Sequence, residues 1–96
     1  MRIRQMGYKE YGISKGEEKI LLKKCSLYKN RAILLECCEA VYPAIADQLY
    51  FSLRHGVSYD KLAFCDVVYI SKQNFYGYRR KALCCFKDRL LELGLY

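Results

Sequence analysis

Side chains that could bind an anion are concentrated in residues 70–83, which read ISKQNFYGYRRKAL. This stretch interleaves four cations with three aromatic rings, two amides, a glycine and a serine. Lysine and arginine pair with phosphates, whereas Gln, Asn and Arg can each form two hydrogen bonds with the edge of a base. Two interpretations follow: the segment binds something anionic, or its aromatic residues belong to a core and its cations only face solvent.

A second group of residues that could take part in chemistry is the cysteines. These are Cys25, Cys37, Cys38, Cys65, Cys84 and Cys85. They form no CxxC pair and the chain has a single histidine, whereas zinc modules use closely spaced ligand pairs. We therefore expect reduced thiols that mostly pack as small apolar side chains, with no bound metal or cofactor. Cations beside Cys84 and Cys85 would lower a thiol pKa, so thiol chemistry there is a minor alternative.

The motifs of an enzyme are missing from the sequence, which has no Gly-rich phosphate loop, no Ser/His/Asp set and no close pair of carboxylates. His55 precedes Gly56, and we expect it to interact with the terminal carbonyls of a helix. The sequence predicts that the protein is not an enzyme.

Charge is distributed unevenly along the 96 residues, which carry a formal net charge of +7. Residues 1–29 have a net charge of +5, residues 30–70 of −2 and residues 71–96 of +4. A clustered positive charge is typical of nucleic-acid binders. No apolar run approaches a membrane span or a signal peptide, so we expect a cytoplasmic protein without a membrane partner.

Helical signals dominate the chain and predict an all-α fold, a five-helix bundle with a C-terminal helix-turn-helix and a long last helix. The predicted helices cover residues 15–26, 31–42, 43–55, 58–66 and 72–93. Their expected starts are a capping box of Ser14 with Glu17, then Asn30, Ser58 and Ser71; Pro43 either ends the second helix or opens the third. Gly56 and Gly94 are natural stops. We expect one domain over 1–96, with an N-terminal arm (1–13), a three-helix support (14–56) and a helix-turn-helix (57–94).

Periodicity predicts which residues of these helices face the core. The expected inner positions are Ile20, Leu21 and Cys25; Ala32, Leu35, Cys38 and Tyr42; Ile45, Leu49 and Leu53; and Phe75, Tyr78, Ala82, Cys85, Phe86, Leu90 and Leu93. Val67, Val68 and Tyr69 are predicted to form a turn that packs on the core, and Tyr59 is also expected to be a core residue.

The segment SYDKLAFCDVVYISKQNFYGYRRKAL resembles the sigma-factor region 4-like domain that reads −35 elements, as found in small phage and mobile-element regulatory proteins of Firmicutes. The matching positions are Ser58-Tyr59, Leu62-Ala63, Ile70-Ser71, Phe75 and Lys81-Ala82-Leu83. The turn at Asp66 to Tyr69 is longer than usual and lacks the usual glycine. The resemblance implies a helix-turn-helix that binds promoter DNA.

A fifth helix turned so that Phe75, Tyr78 and Ala82 face inward would place a polar set outward. The residues expected to line a DNA contact are Lys72, Gln73, Asn74, Tyr76, Gly77, Arg79, Arg80 and Lys81. Gly77 would allow close approach of the nucleic acid, and Tyr76 is either rim packing or a phosphate contact. The predicted function is sequence-specific binding of double-stranded DNA in transcription regulation, with a homodimer as an option. The alternative is a protein-interaction module that binds a host protein such as RNA polymerase or a defence factor.

Overall fold

The computed structural model describes residues 2–65 and 68–96, which form an all-α fold of five α-helices. The α-helices are α1 (Lys15–Cys25), α2 (Arg31–Val41), α3 (Ala46–His55), α4 (Tyr59–Cys65) and α5 (Lys72–Glu92). Short 3₁₀ helices precede or join them at Ile3–Gln5, Tyr8–Tyr11, Tyr28–Asn30 and Pro43–Ile45. The prediction of an all-α bundle with a long fifth helix is confirmed.

Serine side chains cap three of the helices as the sequence predicts. Ser14 Oγ accepts from the Glu17 amide at 3.2 Å, and Ser58 Oγ accepts from the Lys61 amide at 3.3 Å. Only half of the predicted capping box forms, because the Glu17 carboxylate accepts from Lys87 Nζ at 3.0 Å instead. The α1 N-terminus is therefore tied to α5, which stabilises the tertiary structure as well as the helix.

The prediction that the Asn30 side chain caps α2 is wrong. Asn30 is buried, and its Nδ2 donates to the Lys24 carbonyl at 3.0 Å across the connection from α1. Pro43 opens the 3₁₀ turn that leads into α3, directly after α2 ends at Val41. Gly56 and Gly94 follow α3 and α5 with φ of 69° and 68°, a left-handed backbone that glycine adopts without strain.

One hydrophobic cluster joins the N-terminal segment to all the helices except α4 through fully buried side chains. The buried apolar residues are Ile13, Leu21, Cys25, Leu34, Cys37, Cys38, Ile45, Ala46, Leu49, Leu53, Phe75, Ala82, Leu83, Phe86 and Leu90. α5 runs through the centre and packs against α2 and α3, whereas α4 contributes only partly buried side chains to its rim. Burial of Ile45 just before α3 and of Leu49 and Leu53 within it is confirmed. The same holds for Phe75, Ala82, Phe86 and Leu90 of α5.

Several other core predictions are wrong, for physical reasons. α2 buries Leu34 and Cys37 instead of Ala32 and Leu35. This helix is apolar on most of its circumference, so its sequence does not fix its rotation.

Three further expected core residues are exposed: Ile20 by 53%, Leu93 by 48% and Tyr69 by 87%. Leu93 follows the last residue of α5, where the helical stripe no longer faces a neighbour. Val68 packs against the core as expected, and Val67 lies outside the described residues. No helix in the described part of the chain is long and apolar enough to cross a membrane.

Candidate nucleic-acid interface

The start of α5 is fixed by Ser71, whose Oγ accepts from the Asn74 amide at 3.2 Å. Lys72 in the first turn pairs with Asp60 of α4 at 2.9 Å, and both side chains are exposed by more than half. This pairing raises the pKa of Lys72. Because exposed ion pairs contribute little stability, the Lys72 ammonium can exchange Asp60 for another anion.

α4 is attached to α5 by Tyr59, which lies against the Phe75 ring with a centroid distance of 5.4 Å. The Tyr59 amide donates to Tyr76 Oη at 3.1 Å, and the Tyr59 hydroxyl donates to the Ile70 carbonyl at 2.7 Å. Tyr76 is half-buried and anchors the α4 N-terminus. Of the two roles considered for Tyr76, the structure therefore supports rim packing.

Gly77 is buried against the N-terminal arm instead of open to a partner. A Cβ built on Gly77 would lie 2.6 Å from the Ile3 carbonyl oxygen and 3.1 Å from the Arg4 nitrogen. Gly77 was expected to allow close approach of a nucleic acid, but the backbone that lies against it is that of the chain's own N-terminal arm. Its predicted place in an open DNA contact is wrong.

Arg79 and Arg80 are also engaged within the protein. Arg80 donates from Nε to the Met6 carbonyl and from Nη2 to the Arg4 carbonyl, the latter at 3.3 Å. Arg79 turns toward α3, where its Nε donates to the buried Ser52 Oγ at 2.8 Å. Arg80, expected on the outer face, and Arg79, expected near the helix edge, are both half-buried. The arm and α3 supply acceptors that helical periodicity does not reveal, and a DNA contact by either arginine stays a prediction.

The remaining predicted site residues retain more solvent access. Gln73 and Lys81 are exposed, whereas Asn74 is half-buried. Lys81 lies beside the arm, where it lines a shallow depression together with Ile3 and Met6. Of the predicted set, the structure thus leaves Lys72, Gln73 and Lys81 free to meet a partner.

Two arginines that lie outside the helix-turn-helix motif join the face of α5 that carries Gly77. Arg2 and Arg4 are exposed and flank Ile3, the residue that crosses α5 at Gly77. The signal for them was present in the charge distribution, since residues 1–29 carry a net charge of +5. The position of Arg2 and Arg4 next to α5 depends on contacts between distant segments, so it cannot be predicted from the sequence pattern.

Positive charge on this face is poorly neutralised. The oxygens that Arg79 and Arg80 bind belong to carbonyls and a hydroxyl, which leave the guanidinium charges intact. Among the ion pairs of residues 2–65 and 68–96, Lys72–Asp60 is the one that involves a cation of this face. Uncompensated cations on one surface attract polyanions over distances comparable with the Debye length.

A metal centre is not a feature of the described residues, in which no group of three or more His, Cys, Asp or Glu side chains could hold an ion. Comparison with protein families, curated proteins and solved structures finds no match to the chain. The functional argument therefore depends on the geometry of this surface.

Proposed function

We propose that the protein binds double-stranded DNA through a composite surface, made of the exposed arm residues Arg2 and Arg4 and the α5 residues Lys72, Gln73 and Lys81. The observation that carries this proposal is the crossing of the arm over α5 at Gly77, which adds two exposed arginines to a face whose own arginines bind only uncharged oxygens. In the cell, such a protein acts as a transcription regulator of a phage or mobile element, the role that the sequence resemblance implies.

The crossing also changes how α5 would meet DNA. A helix with its side chains is about 10–12 Å wide and fills a major groove of about 12 Å. With Ile3 on its outer face, α5 has no room to lie lengthwise in the groove. The N-terminal turn remains accessible, so Gln73 reads a base edge while the lysines and arm arginines contact phosphates.

Fluorescence anisotropy with a labelled duplex tests this proposal over a range of salt concentrations. Counterion release predicts a linear fall of log affinity with log salt, and each lost phosphate contact flattens the slope by about one unit. The double substitution Arg2→Ala/Arg4→Ala should flatten the slope by about two units. Lys19→Ala/Lys29→Ala removes the same charge from exposed positions elsewhere and should change the slope much less.

Base reading requires its own measurement, because phosphate contacts carry no sequence information. Selection from a random duplex pool should enrich a preferred site, and Gln73→Ala should relax the preference at one base pair by about 1–3 kcal/mol. Absence of duplex binding at low salt, or equal slopes for the two double variants, would contradict the proposal.

A second candidate, a protein-interaction module, is favoured by two exposed aromatic side chains. Phe64 on α4 is 91% exposed and Tyr69 before α5 is 87% exposed. Aromatic residues are enriched at the centres of protein interfaces. Binding to purified bacterial RNA polymerase, measured after nuclease treatment, should fall with Phe64→Ser but not with Tyr28→Ser, which alters a 66% exposed ring elsewhere.

A further inference from the structure

The side of the protein formed by α2, α3 and α4 carries two adjoining surface depressions. One, of about 450 Å³, lies between α2 and α3, and the other, of about 340 Å³, lies between α3 and α4. Asp47 and Phe51 line both depressions. These residues are four positions apart on α3, so they share one face of the helix and mark the line where the depressions meet. We call the two depressions together the α3 groove.

Apolar side chains line the α3 groove on both sides of this pair. Ala32 and Leu35 of α2 line one depression, and Leu62 and Cys65 of α4 line the other. Ala32 and Cys65 are exposed, and Leu35 and Leu62 are only partly buried. A partner that places an apolar side chain in each depression would remove this surface from water, which stabilises a complex.

Phe51 supplies an aromatic ring at the centre of the groove, and 49% of this residue is exposed. Its ring stacks on that of His55 with a centroid distance of 5.9 Å and an interplanar angle of 30°, and it meets the Tyr50 ring edge-on at 5.9 Å. The neighbouring rings restrict the Phe51 side chain, so covering it costs little conformational entropy. An exposed aromatic ring of this kind attracts a lysine or arginine side chain.

Asp47 supplies a negative charge beside this ring. It is exposed and takes part in none of the ion pairs found within residues 2–65 and 68–96. Arg31 is the other charged residue that the structure describes in the walls of the groove. Its guanidinium lies over the Tyr28 ring, 3.7 Å from the centroid, and donates to the Tyr28 carbonyl at 3.0 Å. Because Tyr28 is outside these walls, Arg31 is held at the edge of the groove and leaves Asp47 without a counter-ion in the described structure.

We propose that the α3 groove binds a protein segment that carries an arginine or lysine between two apolar side chains. The cation pairs with the Asp47 carboxylate and lies against the Phe51 ring, while the apolar side chains enter the depressions toward α2 and α4.

Charge complementarity selects this occupant over others. A nucleic acid or an acidic segment would bring negative charge against Asp47, and residues 30–70 already carry a net charge of −2. A purely apolar segment would cover the Asp47 carboxylate without giving it a partner, which is costly. The groove shares no residue with the proposed DNA surface, so the inference does not depend on DNA binding.

Selection of a random peptide library displayed on phage, with the wild-type protein as target, tests this proposal. Enriched peptides should share an arginine or lysine with an apolar residue on each side. A labelled peptide of the enriched sequence then gives dissociation constants by fluorescence anisotropy. Asp47→Asn and Phe51→Ala should each weaken binding about tenfold or more, because each removes one half of the cation site.

Two matched variants change the same chemical groups outside the groove. Asp88→Asn removes an exposed carboxylate from α5, and Phe64→Ala removes an exposed ring from α4. Both should leave the dissociation constant within about twofold of the wild-type value. Losses equal to those of the groove variants would show that the peptide binds elsewhere.

NMR shift perturbation in the wild-type protein keeps the test valid even if a variant folds poorly. Peptide addition should shift the amide resonances of residues 32–35, 47–51 and 62–65. Enrichment of acidic peptides, no enrichment at all, or shifts centred on the arm and α5 would overturn the proposal. So would self-association of the protein that Phe51→Ala abolishes, because the groove would then serve a second copy. Duplex binding is measured without peptide, so its failure would not affect this result.

Discussion

Gly77 of α5 and Ile3 of the N-terminal arm touch through their backbones, and a Cβ on Gly77 would come within 2.6 Å of the Ile3 carbonyl oxygen. This contact explains a glycine in the middle of a long helix, where it costs about 1 kcal/mol relative to alanine. The arm can lie flat on α5 only because no side chain intervenes.

The substitution Gly77→Ala should therefore displace the arm. We expect a destabilisation of about 1–3 kcal/mol, the usual cost of overpacking, although alanine favours the helix itself. Gly16→Ala is the control, since that helical position has open space around it and should gain up to about 1 kcal/mol. Chemical denaturation measures both, and equal effects of the two substitutions would show that the arm does not pack on α5.

Arg80 holds the same arm from the side through the carbonyls of Met6 and Arg4. Arg80→Ala should cost about 1.5–3 kcal/mol, because hydrogen bonds from a charged donor are lost. The neighbouring Lys81 is exposed, so Lys81→Ala should stay within about 0.5 kcal/mol. Hydrogen exchange of the amides of residues 3–6 should accelerate in the Arg80 variant alone. Unchanged exchange would show that Arg80 does not hold the arm on α5.

Phe75 is fully buried where α4 meets α5, and its ring contacts the rings of Tyr59 and Tyr76. Phe75→Ala should lower the free energy of unfolding by about 3–5 kcal/mol. Phe64→Ala removes the same ring from a side chain that is 91% exposed and should change stability by less than about 0.5 kcal/mol. Thermal denaturation distinguishes these outcomes, and similar losses would mean that α4 is packed differently.

Cys85 on α5 should be a thiol whose reactivity depends on pH around neutrality. Its pKa is lowered to about 7, so the thiolate fraction and the rate of alkylation by iodoacetamide should rise as pH increases through 7. Interaction with the Cys37 thiol is the main cause of this lowering, so Cys37→Ala should move the midpoint to higher pH. Residue-resolved mass spectrometry gives the rates, and a Cys85 midpoint near 9 in the wild type would contradict the lowered pKa.

The sequence by itself determined the local features of this protein. Serine caps and helix-ending glycines act within a few residues, so they identified the helices. The spacing of Ile45, Leu49 and Leu53 is equally local and identified the inward side of the segment 45–53. The same local rules placed Phe75 and Phe86 inside, because α5 has one clear apolar stripe.

Only the tertiary structure decided which outward residues of α5 stay outward. Gly77 and Arg80 look solvent-facing by helical phase, yet the arm, more than 70 residues earlier, covers both. The rotation of the apolar helix α2 likewise depends on which faces pack together. Side-chain packing between distant segments is a collective property, and periodicity within one helix carries no information about it.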